Sequence, residues 1–450
     1  MNHLKNFIMK NATIIDVEGE NTFKGVIEVD HGTIKNIFLD DSDLPRDKEI
    51  IDVEGKYIIP GLIDMHCHIQ EGFAPQFVAS GVTTVRNTAG NVFQLKKLIE
   101  SPIDAPTPRV YAADRMIDGP PGLWGPNSYG NFVTDDPIEG IKEVKRQKDA
   151  GAKFIKIYGW ISKEVMEAVV SEADKYGLEV SCDLIHATKV NALDAAKVGV
   201  KWFEHASGFI QAIYPNWYPS AEQEEFDKID WKHPDKEKIK EICMQMIQFN
   251  VNLCPTLVIF DQVDRLPNYW HPTNVVAETF EREGGLKDLW STMAEGHGDA
   301  LKKQLGTQTQ FIKDIAKTYA DLGGTVVTGT DTPGGVWTLP GMALHRELEL
   351  FVEIGLTEME ALQAATVKAA HSIEMKDIGT IKEGAIADMV ILNENPLEDI
   401  RNTKDIHRVI KGGRMYTQEE ILEEIPSKEY LEREQEKFMA EFEEMMEINS

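Results

Sequence analysis

His66 and His68 stand two residues apart in the run Ile59-Pro60-Gly61-Leu62-Ile63-Asp64-Met65-His66-Cys67-His68. On an extended strand alternate side chains share a face, with Cα atoms roughly 6–7 Å apart, so a pair at this spacing can grip one metal ion at a strand end. The apolar residues from Tyr57 to Ile63 read as a short buried strand interrupted at Pro60-Gly61. A lone His-x-His pair is a weak signal, and its weight depends on partners elsewhere. Four other metal-competent residues each follow an apolar, strand-like run: Lys156 in Phe154-Ile155-Lys156-Ile157-Tyr158, His186 beyond Val180-Ser181-Cys182-Asp183, His205 closing Trp202-Phe203-Glu204-His205, and Asp331 closing Val327-Thr328-Gly329-Thr330-Asp331. Together they offer four imidazoles, one carboxylate and one lysine.

The elements that would position these residues repeat. Eight strand candidates lie around Ile59–His68, Val82–Arg86, Arg109–Ala113, Lys153–Tyr158, Glu179–Cys182, Lys201–His205, Val251–Leu257 and Thr325–Asp331. Helical stretches such as Lys163–Tyr176 and Lys189–Val198 fall between them. Alternating strand and helix signals point to parallel βα units, and eight such units close a (β/α)8 TIM barrel, whose chemistry sits at the C-terminal strand ends. Both chain ends are rich in short β signals, so an α/β architecture is expected: a barrel over 56–377 and a small β-sandwich built from 1–55 plus 378–416. An acidic helical extension is expected over 417–450, where Leu431, Phe438, Met439, Phe442, Met445 and Met446 share one face suited to docking or a dimer contact. Thr357-Glu358-Met359-Glu360 spells a capping box opening a helix that runs through Ala370. The connections Ser207–Lys240 and Ile259–Gly306 are too long for simple turns and read as pocket walls or lids.

Composition sets limits. The 450 residues carry 75 acidic against 47 basic side chains, a formal charge of −28, which disfavours nucleic acid, anionic membrane and polyanionic substrates as partners. No run of 18 apolar residues occurs, and Met1 to Ile15 lacks the unbroken apolar segment of a secretory signal. The four cysteines, Cys67, Cys182, Cys243 and Cys254, are widely spread with no CxxC pair, as expected of buried thiols in a reducing compartment. A soluble cytoplasmic protein acting on a small molecule, with room for homo-oligomers, is the expectation.

The chain resembles the amidohydrolase superfamily, in its imidazolonepropionase-like and Xaa-Pro dipeptidase-like branch, from Asn11 to about Tyr416. Carrying the likeness are Pro60-Gly61-Leu62-Ile63-Asp64-Met65-His66-Cys67-His68, Gly81-Val82-Thr83-Thr84-Val85-Arg86, Phe154-Ile155-Lys156-Ile157, Glu204-His205-Ala206, Gly329-Thr330-Asp331 and Gly384-Ala385-Ile386-Ala387-Asp388. The resemblance implies two divalent ions, zinc by preference. It assigns His66, His68 and Asp331 to the more buried ion and His186 and His205 to the more exposed one, with Lys156 bridging both as a CO2-derived carbamate. Asp331 would also move the proton. Unmodified lysine repels a cation, whereas its carbamate is a two-oxygen anion able to span two ions. A solvent oxygen held between them ionises near neutral pH. His186 is the single histidine of its interval, where relatives tend to carry a His-x-His pair, and Asn87 follows Arg86 where they often carry Asp.

The reaction so implied is hydrolysis of an amide or peptide C–N bond in a dipeptide or N-acyl amino acid. Arg115, Tyr158 and His345 are the candidates to grip the substrate, a cation suiting its carboxylate. A lactonase or phosphotriesterase would use the same two-ion site. A deaminase of the superfamily typically has a glutamate three residues after the histidine of the fifth strand, where this chain has Lys189. A non-catalytic barrel protein would have dispensed with the ligands.

Overall fold

The computed structural model describes residues 6–448 except 42–43, 46–47 and 282–284, and the side chains of 443–448 fall outside that description. The strand expected over Ile59–His68 is two strands in two different sheets, Tyr57–Pro60 and Leu62–Cys67. Pro60 pairs with Met389 in one sheet, Gly61 donates its N–H to Asp388 O, and Leu62 opens the other. Proline has no N–H to continue a ladder, so the chain changes partners there.

Two all-parallel sheets carry the site. One runs Leu62–Cys67, Val82–Asn87, Arg109–Ala112. The other has seven strands, in the order Asn131–Val133, Met116–Asp118, Ile155–Tyr158, Val180–Asp183, Trp202–Glu204, Asn252–Cys254, Thr325–Val326. The eight expected strands are thus present, with two short extra ones at Met116–Asp118 and Asn131–Val133. They do not form one closed ladder. The sheets meet through isolated bridges, Ala113 with Phe154 and Cys67 with Thr332, and through bonds from Met65 N–H to Thr328 O (2.9 Å) and from His68 N–H to Thr332 O (2.8 Å).

A helix explains part of the opening. The Thr357 and Glu360 capping box is present, but the helix it opens, Glu358–Ala364, stops before Ala370, and a second helix, Val367–Ser372, follows. Ala364 O accepts from Thr328 N–H and Ala365 O from Ile63 N–H, so carbonyls that would continue the helix are spent on the two strands flanking the gap.

The terminal strands form one eight-stranded sheet in the order Arg414–Tyr416, Ile406–Lys411, Met389–Leu392, Tyr57–Pro60, Phe7–Asp16, Asn21–Asp30, Thr33–Phe38, with Glu49–Asp52 paired to Phe7–Asp16. Among the described residues these strands belong to one sheet, with no separate second layer of a sandwich. Phe7, Met9, Ile14, Ile27, Val29, Ile58, Met389, Ile391 and Ile410 make its apolar core.

The acidic helix spans Lys428–Ile448. Leu431 lies against Gly72, Tyr430 Oη donates to Glu71, and Phe438 packs tilted against Phe93 and edge-on to Tyr129, so the helix docks beside the segment that follows His68. The side chains of Met445 and Met446 lie outside the described residues. Among the described residues, no helix is long and apolar enough to cross a membrane.

Candidate metal centre

His66, Lys156, His205 and Asp331 converge at the C-terminal ends of the parallel strands, and His68 stands just beyond. His66 Nε2 lies 3.2 Å and His68 Nε2 2.9 Å from the same oxygen, Asp331 Oδ1. The His66 and His205 ring centroids are 4.6 Å apart. His205 Nε2 faces Asp183 Oδ2 at 3.4 Å. Backbone geometry helps to aim these groups, since His205, Thr256 and Asp331 all adopt left-handed φ values, of 60°, 47° and 53°. Such turns are uncommon away from glycine and cluster at functional sites. Gly329 permits the approach of the Asp331 segment, because a Cβ there would meet Cys254 Sγ at 2.4 Å and His66 N at 2.9 Å.

Each imidazole has its other nitrogen occupied. His66 Nδ1 donates to Glu204 Oε2 at 2.7 Å, and His68 Nδ1 to Ala89 O at 3.3 Å. His205 Nδ1 lies 2.6 Å from Thr256 Oγ1, whose own proton goes to Pro255 O. All three rings therefore turn Nε2 toward the cluster, the arrangement that outer partners impose on metal-binding histidines. As neutral rings they would set lone pairs against the carboxylate oxygens of Asp331 and Asp183. A second ring proton or a shared cation resolves that conflict, and a divalent ion satisfies all the groups at once. Lys156 points the same way. It is 2% exposed, and its Nζ has no hydrogen-bond partner among the described residues. A buried amine with nothing to bond is costly, which suits a lysine that is modified or ligating. The donor set thus fits a divalent metal.

Charges in the wall tune the carboxylates. Burial would raise Glu204, but Arg86, His66 and Lys156 hold it well below the usual carboxylate range. Burial likewise opposes the ionisation of Asp183 and Asp331. His205 and Lys156 overcome it for the first, and His66 and His68 for the second. Asp64, fully buried beneath the pair, is pushed up to about 7 by burial while it bonds His66 N–H and Thr330. His66, Glu204 and Cys254 form a second compact group on the inner side. There, burial raises the Cys254 thiol, so it stays protonated and makes a poor ligand.

The remaining expected residues are placed differently. His186 is half-buried beyond the end of its strand, and among the described residues its ring makes no hydrogen bond or ion pair with the cluster. Arg115 points elsewhere: Nε and Nη2 clasp Glu143 at 2.8 and 2.7 Å, Nη1 reaches Ser128 O, and the guanidinium lies over Phe132. His345 is buried between Thr403 Oγ1 (2.9 Å) and Ser80 O (3.0 Å), both ring nitrogens engaged. These two hold the fold together, and neither is available as the expected carboxylate clamp. Tyr158 does face the cluster, with Asp183, Asp331 and the Trp124 indole around its hydroxyl. Asn87 braces the loop beyond His68, accepting from Ile69 N–H at 2.7 Å and donating to Ala89 O. Glu204, which bonds His66, and Asp183, which faces His205, also border the cluster, and no local signal in the sequence marks either.

Parallel sheets flanked by helices, whose C-terminal strand ends gather imidazoles and carboxylates able to hold a divalent cation, define an α/β protein. The chain belongs to the amidohydrolase family, whose model matches residues 57–416. Ochratoxinase from Aspergillus niger is 27% identical over 336 residues, 69% of this chain and 55% of the relative, so the chain spans about half the length of that curated relative. Among solved structures, a putative prolidase from Bifidobacterium longum superposes with a TM-score of 0.69 at 24% identity, covering 94% of this chain and 99% of that one. A Xaa-Pro dipeptidase with bound methionine in the active site gives 0.66 at 23%, covering 91% and 99%. At such identities the structural likeness speaks for the fold.

Proposed function

We propose that this protein is a metal-dependent hydrolase that cleaves an amide or peptide C–N bond of a small dipeptide-like or N-acyl amino acid substrate. The observation carrying this reading is the convergence of His66, His68, His205, Lys156 and Asp331, with Nε2 of each ring turned inward by its own outer partner. The names of the similar proteins, a prolidase and a Xaa-Pro dipeptidase, favour the same bond. With this reading go a (β/α)8 barrel over 56–377, a sandwich from 1–55 plus 378–416, an acidic extension over 417–450, and two zinc ions spanned by a carbamate on Lys156.

Metal bound at this site supplies Lewis acidity that polarises the scissile carbonyl and acidifies water. The chain's own residues do the rest. Asp331, whose Oδ1 faces Nε2 of both His66 and His68, takes the proton from the attacking water and returns it to the leaving nitrogen, which departs as a neutral amine. Tyr158 donates to the carbonyl oxygen as charge develops there. Glu204 fixes the His66 tautomer throughout.

The test is a screen of zinc-loaded protein against dipeptides and N-acyl amino acids, read by the appearance of free amine. Turnover of at least one such class, abolished by chelator, is expected. Turnover of lactones or organophosphates alone would transfer the site to the alternative hydrolase reading.

A further inference from the structure

We infer that the side chain completing the second metal position is Asp183, in place of the histidine expected three residues later. The inference rests on the metal-dependent reading above and specifies one of its ligands. Asp183 closes the Val180–Asp183 strand opposite Tyr158, two residues beyond the pairing of Lys156 with Ser181. Ser181 turns inward, its hydroxyl bonding Glu204 at 2.6 Å, and Asp183, two residues on, shares that face. Its Oδ2 is 3.4 Å from His205 Nε2, the nitrogen left free by the bond from Nδ1 to Thr256. An acceptor oxygen and an imidazole lone pair that face each other, only 3% and 4% exposed, are two ligands awaiting one cation. The unpartnered Nζ of Lys156 is an independent sign that the same pocket holds something more than these side chains, since Lys156 acts electrostatically on both Asp183 and Glu204.

Among the described residues the His186 ring makes no hydrogen bond or ion pair with the cluster, although it acts electrostatically with Asp183 and His205, and the loop before it is tied down. Ile185 N–H bonds Asp183 Oδ1 at 3.0 Å, Leu184 N–H bonds Ser207 Oγ at 2.7 Å, and Gln211 Nε2 ties down both Leu184 O and Ile185 O. These bonds fix the chain immediately before His186. With Asp183 and Asp331 both contributing, the cluster has a carboxylate on each side, a donor set harder than an all-imidazole second position.

The experiment is metal counting on the full chain. Wild type, Asp183→Asn, Asp183→His and His186→Asn are loaded with Co2+, freed of excess by gel filtration, and assayed for bound cobalt, for its visible absorption and for the affinity of each ion by calorimetry. Asp183→Asn keeps an oxygen for Ile185 N–H, and thermal unfolding checks that each variant is folded. Expected are two ions in wild type and in His186→Asn, and a second ion weakened at least about tenfold in Asp183→Asn. In Asp183→His, two ions with a shifted cobalt spectrum are expected, because nitrogen replaces oxygen. Two ions of unchanged affinity in Asp183→Asn, or loss of one in His186→Asn, would overturn the inference and leave the proposed function standing. Wild-type protein that binds fewer than two ions would defeat the binuclear reading itself, and this inference with it.

Discussion

Arg86 is paired with Glu204, both buried between the two parallel sheets. Its Nη1 donates to Glu204 Oε1 at 2.7 Å, and its guanidinium lies 4.1 Å from the ring centroids of both Phe154 and Trp202. The other oxygen of Glu204 orients His66, so one buried carboxylate neutralises a cation and sets a tautomer.

Glu204→Gln is therefore expected to fail twice. An amide NH2 facing His66 Nδ1 forces that nitrogen to accept, which moves the ring proton to Nε2 and turns it against any metal. Metal affinity should fall about 10–100-fold. Arg86, left buried without its counter-charge, should lower stability by about 3–5 kcal/mol. Calorimetric metal titration and urea unfolding read the two effects separately. Unchanged metal affinity in a folded variant would deny Glu204 its orienting role.

Lys156→Met separates ligand from scaffold. The Nζ makes no hydrogen bond among the described residues, and Met fills a similar volume, so metal-free stability should change by no more than about 1 kcal/mol. Bound metal should drop to one ion or none, with partial recovery on adding formate or acetate, whose oxygens can stand where a carbamate would. Intact mass of the gently handled wild type should show a CO2 increment. Full metal content in Lys156→Met would remove the bridging role.

What was legible in the sequence follows from local signals. His66, His68, Lys156, His205 and Asp331 each end or follow an apolar run, and a strand end is where such runs deliver a side chain to a parallel sheet's active face. Asp183 and Glu204 were not legible, because an acidic residue at a strand end reads equally as a cap or a surface charge. Only the approach of Asp183 to His205 across neighbouring strands gives it a role. The clasp of Arg115 is hidden for a related reason: its partner Glu143 lies in the Pro137–Ala150 helix, 28 residues away, and nothing local announces the pairing. The early stop of the Glu358–Ala364 helix is non-local too, since Thr328 and Ile63 draw on its carbonyls.

His345 should reveal itself through pH. Burial, reinforced by the charge of Lys404, pushes it down to about 3, against about 6.5 for an exposed imidazole. Between those values the unfolded chain binds a proton that the native chain refuses. Stability from this residue is thus complete above about pH 6.5 and lost as pH falls toward 3, by up to about 1.4 kcal/mol per unit. His345→Gln should flatten the curve of urea stability between about pH 4 and 6.5 while leaving metal content unchanged. A retained slope together with a raised KM would return His345 to the substrate site.

Tyr158 offers the sharpest catalytic test, because its position and its proton can be argued together. Burial, with Asp183 and Asp331 close by, lifts its phenol well above the ordinary value. The hydroxyl consequently keeps its proton through the whole working pH range and serves as a donor, never as a base. A donor that strengthens its bond only as the carbonyl oxygen gains charge acts on kcat more than on KM. Tyr158→Phe removes that bond and leaves the ring in place. It should lower kcat about 100-fold, with KM within about threefold and two ions still bound. The residual activity should keep the wild-type profile on the alkaline side, since no group titrating there has been removed. Loss of metal in Tyr158→Phe would instead make the hydroxyl a support for Asp183, and a rise in KM at constant kcat would make it a plain substrate contact.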